Sequence, residues 1–597
     1  VSSRSFSIDE TNRYAGAMGD PSRMAMNFAG VAVAGDTRND IIIRGNSPMG
    51  LLWKLDGINI PNPNHFGVLG TTGGPVSILN NNLLDNSDFM TGAFPAEYGN
   101  ALSGAFDLRM RSGNNEKREF IGQVGFNGFE LGAEGPMSKK HQGSYLANYR
   151  YSTMGVMDAI GINFGYGSVP QYQDLSFKMD VPTGEKYGRF SLFGIGGKSH
   201  IDLLAKNQKE GDFTVTPYDQ DVYFNSDMGV LGFSHKYFYN ENTKQTINLA
   251  VSGTQNKIIS DSLFNKRENK IMTYSSQFTE VKYSLIYNIN KKVNVKNTIN
   301  SGITADIYQF NYLDSFLLGG KKYISATNFK GNSSLMQAYF KWQHKFSDKL
   351  ALNSGVHYQQ FLYNNSVAVE PRLGLKWSLS TKQSISIGSG MHSQLQPMSV
   401  YFYQTQNNDG SFSRTNKNLD FSKSNHFVLA YDYAFATDWR IKTETYYQQL
   451  YSIPVETRSS AFSLLNAGAD FVLPNVDSLK NKGTGTNYGA EFTLEKFFSK
   501  NYYLLFTASV FDSKYKASDG VERNTAFNGN YTFNALAGTE FNLDKEKRKV
   551  LTLNTKINYA GGKRYIPIKL AESQIQHQTV YDYDHAFEKK YSDYSRV

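Results

Sequence analysis

The chain has 597 residues, with 14% aromatics (39 Tyr, 41 Phe), 52 Gly, 15 Pro and a formal net charge of +9. It has no cysteine, which excludes disulfides, thiolate metal sites and a cysteine nucleophile. Mean hydropathy is polar at −0.46, and no run of about 18 apolar residues offers a transmembrane helix. The basic excess is dispersed and forms no dense Lys/Arg block, so nucleic acid is not an expected partner; the charge solvates turns and loops and can meet anionic lipid.

Val1–Glu10 does not read as a signal peptide, and the start is expected to be trimmed. Up to about Arg111 the chain holds short apolar runs between Gly/Asn/Pro-rich loops: Asp40–Asn46, Leu51–Ile58 and Ala101–Met110. These predict a small α+β unit over 1–113, with one helix near Pro75–Asn82.

From Lys117 the pattern becomes long and alternating. Val281, Tyr283, Leu285, Tyr287 and Ile289 share one face, with Lys282, Ser284, Ile286 and Asn288 on the other. Ala338, Phe340, Trp342, His344 and Phe346 oppose Gln337, Tyr339, Lys341, Gln343 and Lys345, and Leu551, Leu553, Thr555, Ile557 and Tyr559 oppose Thr552, Asn554, Lys556 and Asn558. Period-2 alternation sets one face in an apolar phase and the other against water, over roughly the ten residues that cross a bilayer at a tilt. A soluble propeller or sandwich shares that alternation, so the connections decide. Tight turns (Pro182–Glu185, Asn240–Asn242, Asn290–Lys292, Ser347–Lys349, Ser499–Asn501) alternate with long loops (Met154–Gln171, His200–Asn225, Asp314–Gly331, Pro397–Lys423, Pro454–Thr486, Gly562–Lys590). Short periplasmic turns and long external loops are the rhythm of outer-membrane barrels.

The expected fold is therefore membrane all-β: a large antiparallel transmembrane β-barrel over 114–597, with the small α+β plug in its lumen. About nineteen strands precede Gly562 and a twentieth begins near Tyr591, with the first two strands joined near Phe126–Phe129. Against the roughly 22 strands of plugged transporters, the C-terminal strands are expected to be missing.

Specific plug segments carry a resemblance. Ile43-Arg44-Gly45 followed by Leu55-Asp56-Gly57-Ile58, then Asp88 to Gly99 with Gly92, Tyr98 and Gly99, then Ser103-Gly104-Ala105-Phe106-Asp107-Leu108, resemble in order and spacing the plug of the TonB-dependent receptor family. Asp88 stands where the family has Glu, and the usual Pro is shifted to Pro95. Asp56-Gly57-Ile58-Asn59-Ile60-Pro61-Asn62-Pro63 is similar to Bacteroidetes-type receptors with an N-terminal carboxypeptidase-regulatory-like domain, which is absent from this chain, as is a recognisable TonB box. The pattern looks less like the SusC glycan importers. The resemblance implies energy-coupled import of a scarce nutrient (ferric siderophore, cobalamin, glycan or peptide) across a Gram-negative outer membrane. It also implies the TonB/ExbB/ExbD complex as partner, with lipid or lipopolysaccharide around the wall. A surface lipoprotein, or other outer-membrane subunits, are further candidate partners. The alternative is a plugged-barrel structural subunit of an export or barrel-assembly complex, without transport.

Arg44 is expected to pair with lumen carboxylates and fix the plug, while Gly45, Gly57, Gly92, Gly99 and Gly104 serve tight turns or close approach to the wall. Asn62, Asn64, His65 and Phe66, beside the Gly67–Gly74 loop, are the candidate ligand contacts at the plug apex. Tyr401, Phe402 and Tyr403 read as the interfacial aromatic girdle. Gly194-Ile195-Gly196-Gly197 lies inside a strand and fails as a phosphate loop. No metal-ligand spacing, nucleophile elbow or carboxylate pair points to an enzyme or a cofactor.

Overall fold

The computed structural model describes residues 2–597 except 34, 36, 126–127, 139–141, 155, 157–168, 208–218, 266, 470–472, 545 and 547. Two sheets organise it. A five-stranded mixed sheet has the order Ser2–Phe6, Ser87–Gly92, Gly104–Leu108, Leu51–Leu55, Ile58–Asn59, with only the 51–55 and 104–108 pairing parallel. A second, all-antiparallel sheet has 22 strands and runs from Glu119 to Arg596. Two of the 22, Lys322–Ile324 and Glu522–Asn524, are short strands folded back on the loop ends of Asn297–Leu318 and Tyr502–Lys516. The remaining twenty form the wall in chain order. Nineteen precede Gly562 and the twentieth is Tyr594–Arg596, which is the count read from the alternation.

The alternation decides what faces where. Tyr283 and Leu285 are exposed on the outer face, while Lys282, Ser284 and Ile286 between them are buried in the lumen. Phe340 and Trp342, then Leu551, Leu553, Ile557 and Tyr559, are likewise exposed outward. A belt of exposed Leu, Ile, Phe and Tyr costs too much against water and is stable against acyl chains. Among the described residues no helix is long and apolar enough to cross a membrane; the strands cross it.

The plug core is aromatic. Phe106 stacks on Trp53 at 4.9 Å and meets Phe89 at 4.9 Å and Phe6 at 5.6 Å, all within the mixed sheet. Asp56 (φ 47°) and Gly57 (φ 86°) form the Asp-Gly turn that reverses Leu51–Leu55 into Ile58–Asn59. Gly104 sits where Met90 crosses: a Cβ there would lie 2.3 Å from the Met90 carbonyl oxygen and 2.6 Å from Ile43 Cδ1. Gly104→Ala therefore forces the sheet apart, with an expected cost of about 1–3 kcal/mol. The check is a lower denaturant midpoint for amide protection of the plug strands, with the wall strands unchanged.

Three sequence expectations are corrected. Residues 75–82 contain no α-helix: Val76–Ser77 pairs with Asn64–His65, and Asn81–Leu83 is one 3₁₀ turn capped by the Asn80 side chain. The plug helices are instead Ile8–Arg13, opened by a Ser7/Glu10 capping box, and Pro21–Ala25, opened by Asp20 with Pro21 in the first turn. Asp314–Gly331 is largely strand rather than loop. Tyr401, Phe402 and Tyr403 are not a girdle. Tyr401 and Phe402 are fully buried on the short helix Met398–Phe402, where Phe402 stacks on Phe329 at 3.9 Å and meets Phe310 at 4.9 Å. Tyr403 bridges to Thr327. Most of the expected Met154–Gln171 loop, and the middle of the 126–129 and 200–225 connections, lie outside the described residues.

Candidate functional site

The plug is held in the lumen by polar contacts at three places. The first begins with Ile41–Ile43, a buried strand paired to Val31–Val33. Arg44 (φ 54°) and Gly45 (φ 73°) then take two successive left-handed conformations that turn the chain at the wall. At Gly45 a Cβ would also lie 2.6 Å from that of Ser513. The turn delivers the Arg44 guanidinium to two wall carboxylates. Nε reaches Glu491 Oε1 at 2.7 Å, and Nη2 reaches Glu491 Oε2 at 2.9 Å and Glu444 Oε2 at 3.0 Å. The group lies 4.2 Å from the Tyr446 ring centroid and its side chain is 0% exposed. Lys442 bonds Glu444 at 2.9 Å, so two cations balance two carboxylates.

The second place grips the segment Ala93–Tyr98. Arg372 Nη1 donates to the carbonyls of Pro95 at 2.5 Å and Tyr98 at 2.6 Å. His357 Nδ1 meets the Ala96 carbonyl at 2.8 Å, and the Ala93 amide donates to His426 Nδ1 at 3.2 Å. Phe94 packs on the His392 ring at 4.0 Å. Glu370 balances Arg372 and is held by Ser393 and by Gln359 at 2.8 Å. Gly99 follows where a Cβ would meet His357 Nε2 at 2.1 Å.

The third place is the loop expected at the apex. His65 is buried, its Nε2 at 2.9 Å from Asp174 Oδ2 and its Nδ1 at 2.8 Å from Ser199 Oγ. Arg150 shares Asp174 at 2.8 Å. Phe66 is buried against Tyr172 and Phe224. Burial pushes the His65 imidazole below its usual value; Asp174 opposes this and Arg150 adds to it. The seated loop thus binds fewer protons than a released one, whose histidine titrates near about 6.5. Seating is fully stabilised above that pH and weakens as pH falls through it. Amide exchange over residues 64–67 is therefore expected to accelerate below about pH 6.5, and His65→Gln to flatten that pH dependence.

Above the plug, on the long-loop side, lies a cavity of about 270 Å³ shared by plug and wall. Of the four apical candidates it takes in Asn62 and Asn64, while His65 and Phe66 face the wall outside it. Asn62 donates to the Gly73 carbonyl at 2.9 Å, and Asn64 to Asn62 at 2.7 Å, which fixes the loop edge. Its wall side carries Glu280, Lys282, Asp306, Tyr308 and Gln337, and its loop side Gln394–Ser399 and Leu464–Leu465. Lys282 Nζ donates to the Asn59 carbonyl of the plug at 2.8 Å, and Tyr312 OH to Glu280 at 3.0 Å.

The other motif residues are structural contacts. Asp56 receives Lys178 at 2.8 Å, Asp88 pairs with exposed Arg109 at 3.0 Å, and Tyr98 OH donates to Asp107 at 2.6 Å. Gly92 lets Arg44 pass: a Cβ would stand 2.7 Å from Nη1. The wall partners Glu444, Glu491, Arg372, Asp174 and Gln337 were not singled out from the sequence. Their only signal is a polar residue in the inward phase of a strand, a signal shared by every lumen position. Among the described residues no group of three or more His, Asp or Glu could hold a metal ion.

No protein-family model matches the chain, and no curated protein matches it by sequence. Solved structures do match. The pyoverdine outer membrane receptor FpvA of Pseudomonas aeruginosa PAO1, bound to pyoverdine, aligns with a TM-score of 0.72 at 10% identity, over 99% of this chain and 86% of that one. The siderophore receptor PirA of Acinetobacter baumannii aligns at 0.68 and 13% identity, over 100% and 91%. The FrpB iron transporter of Neisseria meningitidis aligns at 0.65 and 13%, over 94% and 87%. At these identities the likeness is one of fold, and it runs the length of the chain.

Proposed function

We propose that this chain is a TonB-dependent receptor of a Gram-negative outer membrane, importing a scarce nutrient through its plugged barrel. One observation carries the reading: the cavity on the long-loop side is walled jointly by plug and barrel, so a ligand there touches both bodies. Below it the plug hangs on hydrogen bonds and ion pairs, which exchange for water bonds at low cost. A ligand that binds the released arrangement better than the seated one shifts that equilibrium. Solved structures that share the fold include a siderophore receptor, a pyoverdine receptor and an iron transporter, which supports import over a purely structural role. The energy source in this reading is the TonB/ExbB/ExbD complex acting on the plug from the turn side.

The test is growth and uptake on limiting nutrient in the native cells. Loss of the chain and discharge of the proton-motive force should each abolish uptake of the same compound. Uptake that survives the uncoupler would sink the reading. A stable complex with surface lipoproteins and no growth defect would replace it with the structural-subunit alternative.

A further inference from the structure

The cavity has a chemical character that the fold alone does not dictate. Gln337 lines the cavity, and its side-chain amide makes no hydrogen bond among the described residues. Its nitrogen and oxygen are not shut away from the cavity, so a ligand there can take the place of the water they would otherwise hold. From the plug, Asn59 lines the same cavity, and its side chain has no partner among the described residues. Asn100 (φ 54°) accepts from the Leu395 amide at 2.8 Å through Oδ1, which leaves its Nδ2 donor unused. On the wall, Gln394 donates from Nε2 to the Met49 carbonyl at 2.7 Å and keeps Oε1 open. The open groups are thus both donors and acceptors, two residues from each body.

The charges point the same way. Among the described residues the lining has one ammonium, Lys282, which is committed to the Asn59 carbonyl, and no guanidinium. Glu280 and Asp306 are acidic acceptors there, with hydroxyl donors from Tyr312 and from Ser284 at 2.5 Å. A compact polyanion such as a ferric tris-catecholate would meet these acidic side chains with no uncommitted cation among the described residues of the lining, and would lose its hydration without return. A neutral ligand that alternates donors and acceptors meets each open amide and is not repelled.

Building on the receptor reading above, we infer that this cavity binds an uncharged ligand rich in amides or hydroxyls, such as a neutral peptide or oligosaccharide. Gln337 and Asn59 are its specificity contacts. Bridging Asn59 and Asn100 of the plug to Gln337 and Gln394 of the wall, the ligand reads both bodies at once. Asn100 adjoins Gly99, which packs against His357 and Gln337, so occupancy is felt at the grip on Ala93–Tyr98.

The experiment uses the whole chain in detergent micelles, where binding needs no energy coupling. It is offered three probes separately: a pool of acetylated, amidated tetrapeptides of uncharged residues, a pool of neutral oligosaccharides, and the ferric tris-catecholate anion. Retained compounds are identified by mass spectrometry. One neutral pool is expected to yield a retained ligand, which tells peptide from glycan. Asn59→Ala with Gln337→Ala should cut its retention by about tenfold. Gln337→Glu, which keeps shape and adds charge, should cut it at least as far, with the β-sheet circular dichroism unchanged. Retention of the anion alone, of nothing, or of a neutral ligand indifferent to these variants would overturn the inference. Binding that follows this pattern without energy-dependent uptake in cells would instead sink the transport reading and leave the site standing.

Discussion

Arg44→Ala is expected to unseat the plug at its first anchor and to produce the largest effect of any single substitution in the chain. The wild-type network balances Arg44 and Lys442 against Glu444 and Glu491, all nearly inaccessible except the partly exposed Lys442. Alanine leaves one buried carboxylate uncompensated and removes the packing on Tyr446. Breaking a buried pair by deleting one partner costs about 3–5 kcal/mol, far more than the about 0–1 kcal/mol of an exposed pair. Amide exchange over residues 41–46 should rise by orders of magnitude, while the outward-facing wall strands stay protected. Arg44→Met combined with Glu491→Gln should recover part of the loss, because Lys442 and Glu444 then remain as a balanced pair. If Arg44→Ala left exchange at 41–46 unchanged, the anchor would be only a surface-like ion pair.

Arg372→Ala is the second large effect, at the grip on Ala93–Tyr98. It removes the donor to two plug carbonyls and leaves Glu370 buried among Gln359 and Ser393 without its cation. The expected cost is again about 3–5 kcal/mol. It should appear as protease sensitivity near Pro95 and as weaker protection of Tyr98 and Gly99. Arg372→Lys should rescue little, since a single ammonium cannot keep Glu370 while also reaching both carbonyls in the geometry of a guanidinium fork. Equal protease resistance in wild type and Arg372→Ala would mean that Phe94 packing alone holds the segment.

The two anchors differ in how far the sequence foretold them. Arg44 stood out because Ile43-Arg44-Gly45 resembles a plug motif, and an arginine there can pair with lumen carboxylates or form a plain surface ion pair; the structure shows the lumen pair. Arg372 and His357, His392 and His426 did not stand out, because each is one inward polar residue on a strand full of them. They lie on four consecutive wall strands, and their convergence on Ala93–Tyr98 depends on a plug segment far upstream in the chain. The loop at 62–66 divides: Asn62 and Asn64 line the cavity, while His65 and Phe66 face the wall. Asn, Pro and His looked like an exposed apex, yet His65 found Asp174 and Ser199 some 110 to 130 residues later and turned inward. A polar side chain is buried when a partner awaits it, and a partner that distant leaves no local trace. The aromatic run at 401–403 failed for the same reason, since its rings fill space against Phe310 and Phe329 from a neighbouring region of the wall.

By itself the sequence determined the barrel, its strand count and which side chains face lipid, because period-2 alternation marks each strand locally and the rhythm of short turns and long loops separates a membrane barrel from a soluble sandwich. It also determined the turn chemistry of Asp56-Gly57 and the identity of the plug cation. Only the tertiary structure decided which carboxylates receive that cation, which plug loop is clamped, and which amides stand open over the plug. Those are meetings between strands far apart in the chain. The register of each strand against its neighbours sets them, and register accumulates across the whole wall.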